Sequence, residues 1–209
     1  MPMPQTKTPL ILAAILLGPI MIGCASKSHR VTLTGFLPES IQLEPSADDR
    51  NVLIYNDSSF DPATLDAVYV AAISTDHLKN HLPPDKLDQI ALRMTRDIRE
   101  TLAANLQILE SPATNAPALY TALTKIDPSA PLLNIHPATK ITGMGLGGAS
   151  LEAMILAPDT QRVLYAIAFS RKAAKRVGSG LTKWDDAYTV IQHWAQDLAQ
   201  QWQPQSESP

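Results

Sequence analysis

The chain has 209 residues, which is enough for one ordinary domain with short tails. Hydrophobic residues make up 45% of it and charged residues 18%, a balance typical of a folded globular protein and not of a disordered one. Its 17 Lys and Arg against 20 Asp and Glu give a formal charge of -3, which argues against a nucleic-acid-binding surface.

The first 23 residues have the pattern of a bacterial signal peptide. Lys7 supplies a positive charge, and an apolar run from Pro9 to Gly23 follows it. A membrane-spanning helix needs about 20 apolar residues, whereas this run is shorter and is interrupted by Gly18 and Pro19. We therefore predict a cleaved signal peptide over residues 1–23 and no membrane-spanning helix there.

The residues at the end of this run, Gly23-Cys24-Ala25-Ser26, are similar to the lipobox of bacterial lipoproteins. That resemblance implies cleavage between Gly23 and Cys24 and acylation of the Cys24 thiol, with palmitate among the acyl groups. Cys24 is the only cysteine of the chain, so acylation would leave no free thiol in an oxidising compartment. Because no Asp follows Cys24, the resemblance favours the outer membrane. The alternative is an ordinary secretory leader with an incidental cysteine.

The rest of the chain is predicted to contain one folded domain. Residues 24–34 are assigned to the lipidated N terminus and a linker, 35–203 to a single α+β domain with an extended N-terminal arm, and 204–209 to a disordered tail. Proline and turn-forming residues dominate the arm, and Phe36, Leu37 and Leu43 are predicted to anchor it on the domain.

Several segments have the composition and length of β-strands. Apolar and β-branched runs predict strands at 65–73, 107–110, 118–126, 151–157 and 162–170, and residues 52–55 have weaker strand character. The turn Pro158-Asp159-Thr160-Gln161 predicts that the last two strands form a hairpin.

Two amphipathic helices are predicted. Pro83-Pro84 opens the first, whose apolar residues recur at steps of three and four from Leu87 to Leu106. The second extends from Trp184 to Trp202, and Trp194 lies off its main apolar stripe, where it is expected to cover a sheet edge or form an exposed patch. These elements predict an α+β two-layer sandwich: a mostly antiparallel sheet of about five strands with both helices on one face.

The start of the second helix carries further signals. Thr182 is a candidate cap, and Asp185 and Asp186 fall in the first turn, where negative charge suits the helix dipole.

The order of these elements is similar to the domain-of-unknown-function 3313 family of bacterial lipoproteins. The segments that carry the resemblance are Gly35-Phe36-Leu37 with Leu43, Leu65–Val70, Gly147–Glu152, and Trp184 through Trp194 to Leu198. The resemblance implies an envelope location and a small α/β sandwich. It supplies no catalytic residue.

A glycine-rich segment precedes the predicted hairpin. Gly143, Gly145 and Gly148 match the G-x-G-x-x-G spacing, and Gly147 lies among them. A dinucleotide site needs a helix after this loop, whereas a strand is predicted to follow, so no nucleotide is expected. The four glycines are instead a candidate interaction loop.

Few other residues suggest a site. His77 and His81 are four residues apart, but only Asp76 or Asp85 could add a ligand, so a surface turn is favoured over a metal site. Glu152, at the start of a predicted strand, is expected to be an edge or sheet-end residue that pairs with a base such as Arg162 or Lys140.

One basic cluster stands out in the sequence. It is predicted to be a solvated strand end, with anionic lipid or a partner as the alternative, and it consists of Arg171, Lys172, Lys175 and Arg176.

The predicted function is that of a non-enzymatic envelope lipoprotein, a binding or assembly module facing the periplasm. Its expected partners are the membrane, through the N-terminal lipid, and an envelope protein, with no cofactor, nucleotide or nucleic acid. Two alternatives stay open. One is an accessory subunit of an envelope transport or secretion complex. The other is an envelope hydrolase, which would need Glu152 or a histidine buried beside a nucleophile.

Overall fold

A computed structural model describes residues 31–49, 51–129, 147–158, 160–173 and 183–202. Within these ranges the strands and α-helices follow one another in this order: β1 Glu44–Pro45, β2 Val52–Asn56, β3 Ala67–Val70, α1 Pro84–Leu102, β4 Gln107–Leu109, β5 Ala118–Asp127, β6 Gly148–Leu156, β7 Val163–Lys172 and α2 Asp185–Gln201. Two short 3₁₀ turns, Pro62–Thr64 and Asp76–Leu78, flank β3.

The strands form one mixed sheet in the order β1-β2-β7-β6-β5-β3-β4. The neighbouring strands β1, β2, β7, β6 and β5 pair antiparallel. Strand β3 is parallel to both of its neighbours, β5 and β4. The α+β class and the two helices are confirmed, but the sheet has seven strands in the described ranges and not about five. The parallel part arises because α1 connects β3 to β4, and parallel neighbours require such a crossover.

Helix α1 begins where the sequence predicts, because Pro84 fits the first helical position and Asp85 suits the dipole of the first turn. Its buried stripe consists of Leu87, Ile90, Met94, Ile98 and Leu102. The helix ends at Leu102, four residues before the predicted end of the stripe. Leu106 is still buried there because the chain turns back and its N–H donates to the Leu102 carbonyl.

Helix α2 packs beside α1 on the same face of the sheet. The Arg93 guanidinium of α1 lies 3.8 Å from the centre of the Tyr188 ring of α2. Trp194 is only 3% exposed, and its ring centre is 6.2 Å from that of Phe169 in β7. The expectation of an edge or exposed position for Trp194 is therefore wrong, because both α1 and the sheet bury this helix and widen its buried face.

The arm, residues 31–43, covers the opposite face of the sheet. Phe36, Leu37 and Leu43, the predicted anchors, pack there together with Val31 and Ile41. The strand side chains beneath them are Leu53, Tyr55, Met154, Leu156, Val163, Ala166 and Ala168. The sheet is thus covered by helices on one face and by an irregular segment on the other.

The predicted hairpin is present between β6 and β7, which pair antiparallel along their length. Gln161 in the connecting turn has φ 54, a left-handed conformation that allows the tight reversal. Asp159, the predicted turn former, lies outside the described residues.

Candidate functional site

Glu152 lies in the middle of β6 on the face that the arm covers, and it is 1% exposed. Its Oε1 accepts hydrogen bonds from the Thr34 N–H at 2.6 Å and the Thr34 hydroxyl at 2.8 Å, and its Oε2 accepts from the Leu37 N–H at 3.3 Å. A buried carboxylate needs such donors to replace its hydration. Glu152 therefore holds the arm on the sheet, and Thr34, which the sequence assigned to the linker, belongs to this contact.

The predicted pairing of Glu152 with Arg162 is wrong. Glu152 is opposite Ala168 in the β6–β7 register, whereas Arg162 lies before the first residue of β7. Arg162 instead forms an ion pair with Asp57 at 3.1 Å. Hydrogen bonds from Ser59, together with Arg162, hold the pKa of Asp57 below its usual range. Lys140 lies outside the described residues.

A second buried carboxylate, Asp186, joins three chain segments near the start of β6. It is 2% exposed and its Oδ2 accepts from the Ser129 hydroxyl at 2.7 Å and from the Gly147 N–H at 2.8 Å. The Ser129 N–H donates in turn to the Lys183 carbonyl at 2.8 Å. The chain after β5, before β6 and at the start of α2 is thus fixed at one point.

The role of Asp186 was not predicted, since the sequence assigned this residue only to the helix dipole. A local signal existed nonetheless: residues 186, 190 and 194 are spaced at steps of four, so Asp186 shares a helix face with Val190 and Trp194, both buried. An acid on the buried face of a helix indicates a hydrogen-bonded structural carboxylate.

Two of the four candidate loop glycines are part of the packed fold. A Cβ on Gly147 would lie 2.5 Å from the Asp127 carbonyl oxygen and 2.9 Å from the Ser129 nitrogen, and one on Gly148 would meet the Arg171 carbonyl oxygen. Both glycines are buried, so their absent side chains allow close strand packing. Gly143 and Gly145 lie outside the described residues, as do Gly23 and Cys24.

A groove of about 370 Å³ opens beside this junction, between the end of β5 and the start of α2. We call it the sheet-end groove; it is lined by Leu78, His81, Leu82, Thr124, Lys125, Ile126, Pro128, Lys183 and Trp184. The Lys183 ammonium is 5.0 Å from the centre of the Trp184 ring, and Lys125 forms an ion pair with Asp127 at 2.8 Å. The lining is thus mainly apolar, and of its two lysines one is already paired with an acid.

The two candidate histidines connect the arm and the groove. His77 Nε2 is 3.2 Å from the Thr34 hydroxyl, whereas His81, which is exposed, lines the groove. In the turn Asp76–Leu78, His77 therefore contacts the arm and Leu78 lines the groove. Within the part of the chain that the structure describes, no group of three or more His, Cys, Asp and Glu side chains could hold a metal ion.

The basic cluster is only partly described. Arg171 forms ion pairs with Asp49 at 3.1 Å and with Asp197 at 3.3 Å, and Lys172 is exposed at the end of β7. Lys175 and Arg176 lie outside the described ranges. Of the helices that the structure describes, none is long and apolar enough to cross a bilayer.

Comparison with known proteins gives a family. The family model described as "Protein of unknown function (DUF3313)" matches residues 32–198. The PelC dodecamer from Paraburkholderia phytofirmans is similar at 15% identity, with 74% of this chain and 98% of that chain covered and a TM-score of 0.48. A DUF4136 family protein from Bacteroides thetaiotaomicron is similar at 12% identity, covering 74% and 95%, with a TM-score of 0.33.

A third similar structure, of a DUF330 protein from Xanthomonas campestris, shares 10% identity over 69% of this chain and 84% of that chain, with a TM-score of 0.35. No functionally curated protein matches the sequence.

Proposed function

This chain belongs to the DUF3313 family of proteins of unknown function, and on that premise we propose that it is a lipid-anchored envelope lipoprotein acting as a non-enzymatic binding or assembly module. The proposed anchor is Cys24, acylated after cleavage of the signal peptide at 1–23. The proposed location is the periplasmic side of the outer membrane, which the residues Ala25-Ser26 after the cysteine favour.

The observation that carries this proposal is the hydrogen bonding of the arm to Glu152. The arm is the part of the fold nearest in sequence to Cys24, and two of its residues, Thr34 and Leu37, donate to the buried carboxylate. From Cys24 to Val31 there are seven residue steps, which reach at most about 25 Å when fully extended. An anchor at Cys24 would therefore keep the sheet close to the bilayer surface.

The roles of the two buried carboxylates support a non-enzymatic function. Glu152 accepts three hydrogen bonds from the arm, and Asp186 accepts hydrogen bonds from Ser129 and Gly147. Carboxylates employed in this way stabilise the fold, whereas a general acid or base needs access to substrate. The sheet-end groove is a concave surface at which this protein could bind a ligand or partner.

Metabolic labelling tests the anchor. Cells that express the full-length protein or the Cys24→Ser variant are fed a palmitate analogue, and membranes are separated from the soluble fraction. We expect labelled wild-type protein in the outer-membrane fraction and no label on Cys24→Ser. Unlabelled wild-type protein in the soluble fraction would contradict the anchor. Crosslinking in intact envelopes then identifies partners and separates a free module from a subunit of a transport complex.

A further inference from the structure

We propose that the arm is a strap that opens and closes on the sheet while the rest of the domain stays folded, and that Glu152 is the residue that fastens it. Opening exposes the strand side chains beneath the arm, which we call the arm-side strip: Leu53, Tyr55, Met154, Leu156, Val163, Ala166 and Ala168. The inference goes beyond the proposed function, because it assigns a conformational switch to one face of the sheet and does not depend on the anchor.

The hydrogen bonds that hold the arm converge on one side chain. Among the described residues, no backbone hydrogen bond joins the arm to the sheet. The arm instead donates to Glu152 from Thr34 and Leu37, and the Thr34 hydroxyl also lies 3.2 Å from His77 Nε2. Gly35, at φ +88, bends the arm between the two donor residues, which brings both N–H groups to the same carboxylate.

The apolar contacts of the arm form a cluster separate from the main core. Leu37 is the arm residue that is fully buried in this cluster, and most of the arm is exposed. In the described part of the chain, the main core between the sheet and the helices shares no residue with it. Segments with few buried apolar contacts and few backbone hydrogen bonds open at a lower free energy than a core. The arm can therefore leave the sheet without loss of packing beneath the helices.

The chemistry of Glu152 suits a reversible fastening. In the closed state its carboxylate accepts three hydrogen bonds from the arm, and hydrogen bonds to a charged acceptor are stronger than neutral ones. In the open state water replaces these donors, so the charge is not left buried without partners. The opening ends at Leu43, because Glu44 and Pro45 pair with β2. One carboxylate therefore sets the balance between the two states.

Thiol labelling tests whether the arm opens by itself. The full-length chain carries Cys24→Ser, so that an introduced cysteine is the only thiol. Ala168→Cys lies opposite Glu152 beneath the arm, and the matched control Ala153→Cys follows Glu152 on the helix side; the two alanines are 0% and 1% exposed. We expect position 168 to react in native buffer at a rate that low urea hardly changes, because local opening exposes little surface. Position 153 should react only through global unfolding, with a steep dependence on urea.

Two carboxylate variants separate the fastening from overall stability. Glu152→Gln removes an acceptor of the arm and should raise the labelling rate at position 168 by about 5- to 30-fold. Asp186→Ala weakens the junction on the helix side, so it should raise the rate at position 153 more than about tenfold and leave position 168 unchanged. Equal rates and equal urea dependence at the two positions would overturn independent opening. A rate at position 168 that Glu152→Gln does not change would overturn Glu152 as the fastening.

Amide hydrogen exchange in the unsubstituted chain gives an independent measurement that no cysteine beneath the arm can disturb. The Thr34 and Leu37 N–H groups, which donate to Glu152, should be much less protected than those of Ile191 and Ala195 in the buried face of α2. Their protection should depend only weakly on urea. Equal protection factors in the arm and in α2 would show that both open together and would refute the strap.

Discussion

Thr34 and Glu152 are 118 positions apart in the chain, yet the Thr34 hydroxyl donates to the Glu152 carboxylate across 2.8 Å. The contact joins the first described residues after the proposed anchor to the middle of the central strand pair β6–β7. From Thr34 onward the arm is therefore fixed to the sheet. The contribution of these hydrogen bonds to the free energy of unfolding can be measured.

Glu152→Gln should lower the free energy of unfolding by about 1–3 kcal/mol. The amide NH₂ replaces one acceptor oxygen, so the N–H of Thr34 or of Leu37 would face another donor and lose its buried acceptor. Urea unfolding measures the loss, and limited proteolysis reports release of the arm. Glu110→Gln is the matched control because the Glu110 side chain is 92% exposed, and it should change stability by less than about 0.5 kcal/mol. Equal midpoints for the two variants would refute a structural role of Glu152.

Asp186→Ala should cost about 3 kcal/mol, because the Ser129 hydroxyl and the Gly147 N–H would both lose a charged acceptor in a buried place. Asp185→Ala provides the control. It removes a carboxylate from the same helical turn, so it forfeits the same interaction with the helix dipole, about 0.5 kcal/mol. Thermal and urea unfolding of both variants separates the two effects. If the two substitutions cost the same, the Asp186 hydrogen bonds contribute nothing beyond the dipole.

Gly147→Ala should destabilise the fold by about 2 kcal/mol or more, because its Cβ would overlap the Asp127 carbonyl and the Ser129 nitrogen. Gly35→Ala is a control of another kind. Gly35 has φ +88 with no atom within 4 Å of a Cβ, so only the backbone strain of about 1–2 kcal/mol applies. Unfolding experiments compare the loss of stability in the two variants, and the loss should be larger for Gly147→Ala. A Gly147→Ala protein of normal stability that fails to bind its partner would restore the interaction loop as the role of this glycine.

The local parts of the fold could be predicted from the sequence. The stripe from Leu87 to Leu102 and the opening Pro84 defined α1, and the turn after Leu156 defined the hairpin, because both signals lie within one element. β1 was not predicted, since it has two residues and one is Pro45, which is tolerated at a sheet edge. The parallel pairing of β3 with β4 and β5 depends on how the connecting segments return to the sheet, and no local sequence pattern indicates it.

The same distinction applies to the candidate site. Glu152 could be singled out as an acid on an apolar strand, but its partners in the arm could not be found, because no local rule relates positions 34 and 152. Asp186 could have been found from its spacing to Val190 and Trp194. The groove joins residues of the turn Asp76–Leu78, β5 and the start of α2, so it exists only once the chain is folded. Acylation of Cys24 stays a prediction from the lipobox.

Tyr165→Phe should leave stability unchanged or raise it slightly near neutral pH and should make the protein more resistant to alkali. The Tyr165 hydroxyl is buried on the helix side of β7 without a hydrogen-bond partner among the described residues, and this burial raises its pKa to about 12. Since the unfolded pKa is near 10, the unfolded state releases this proton first. The wild-type protein should therefore lose up to about 2.7 kcal/mol as pH rises from 10 to 12, and nothing from this group below pH 10. Urea unfolding of both proteins between pH 8 and pH 11 measures the difference, and parallel pH profiles would show that the Tyr165 hydroxyl has a hydrogen-bond partner or reaches solvent.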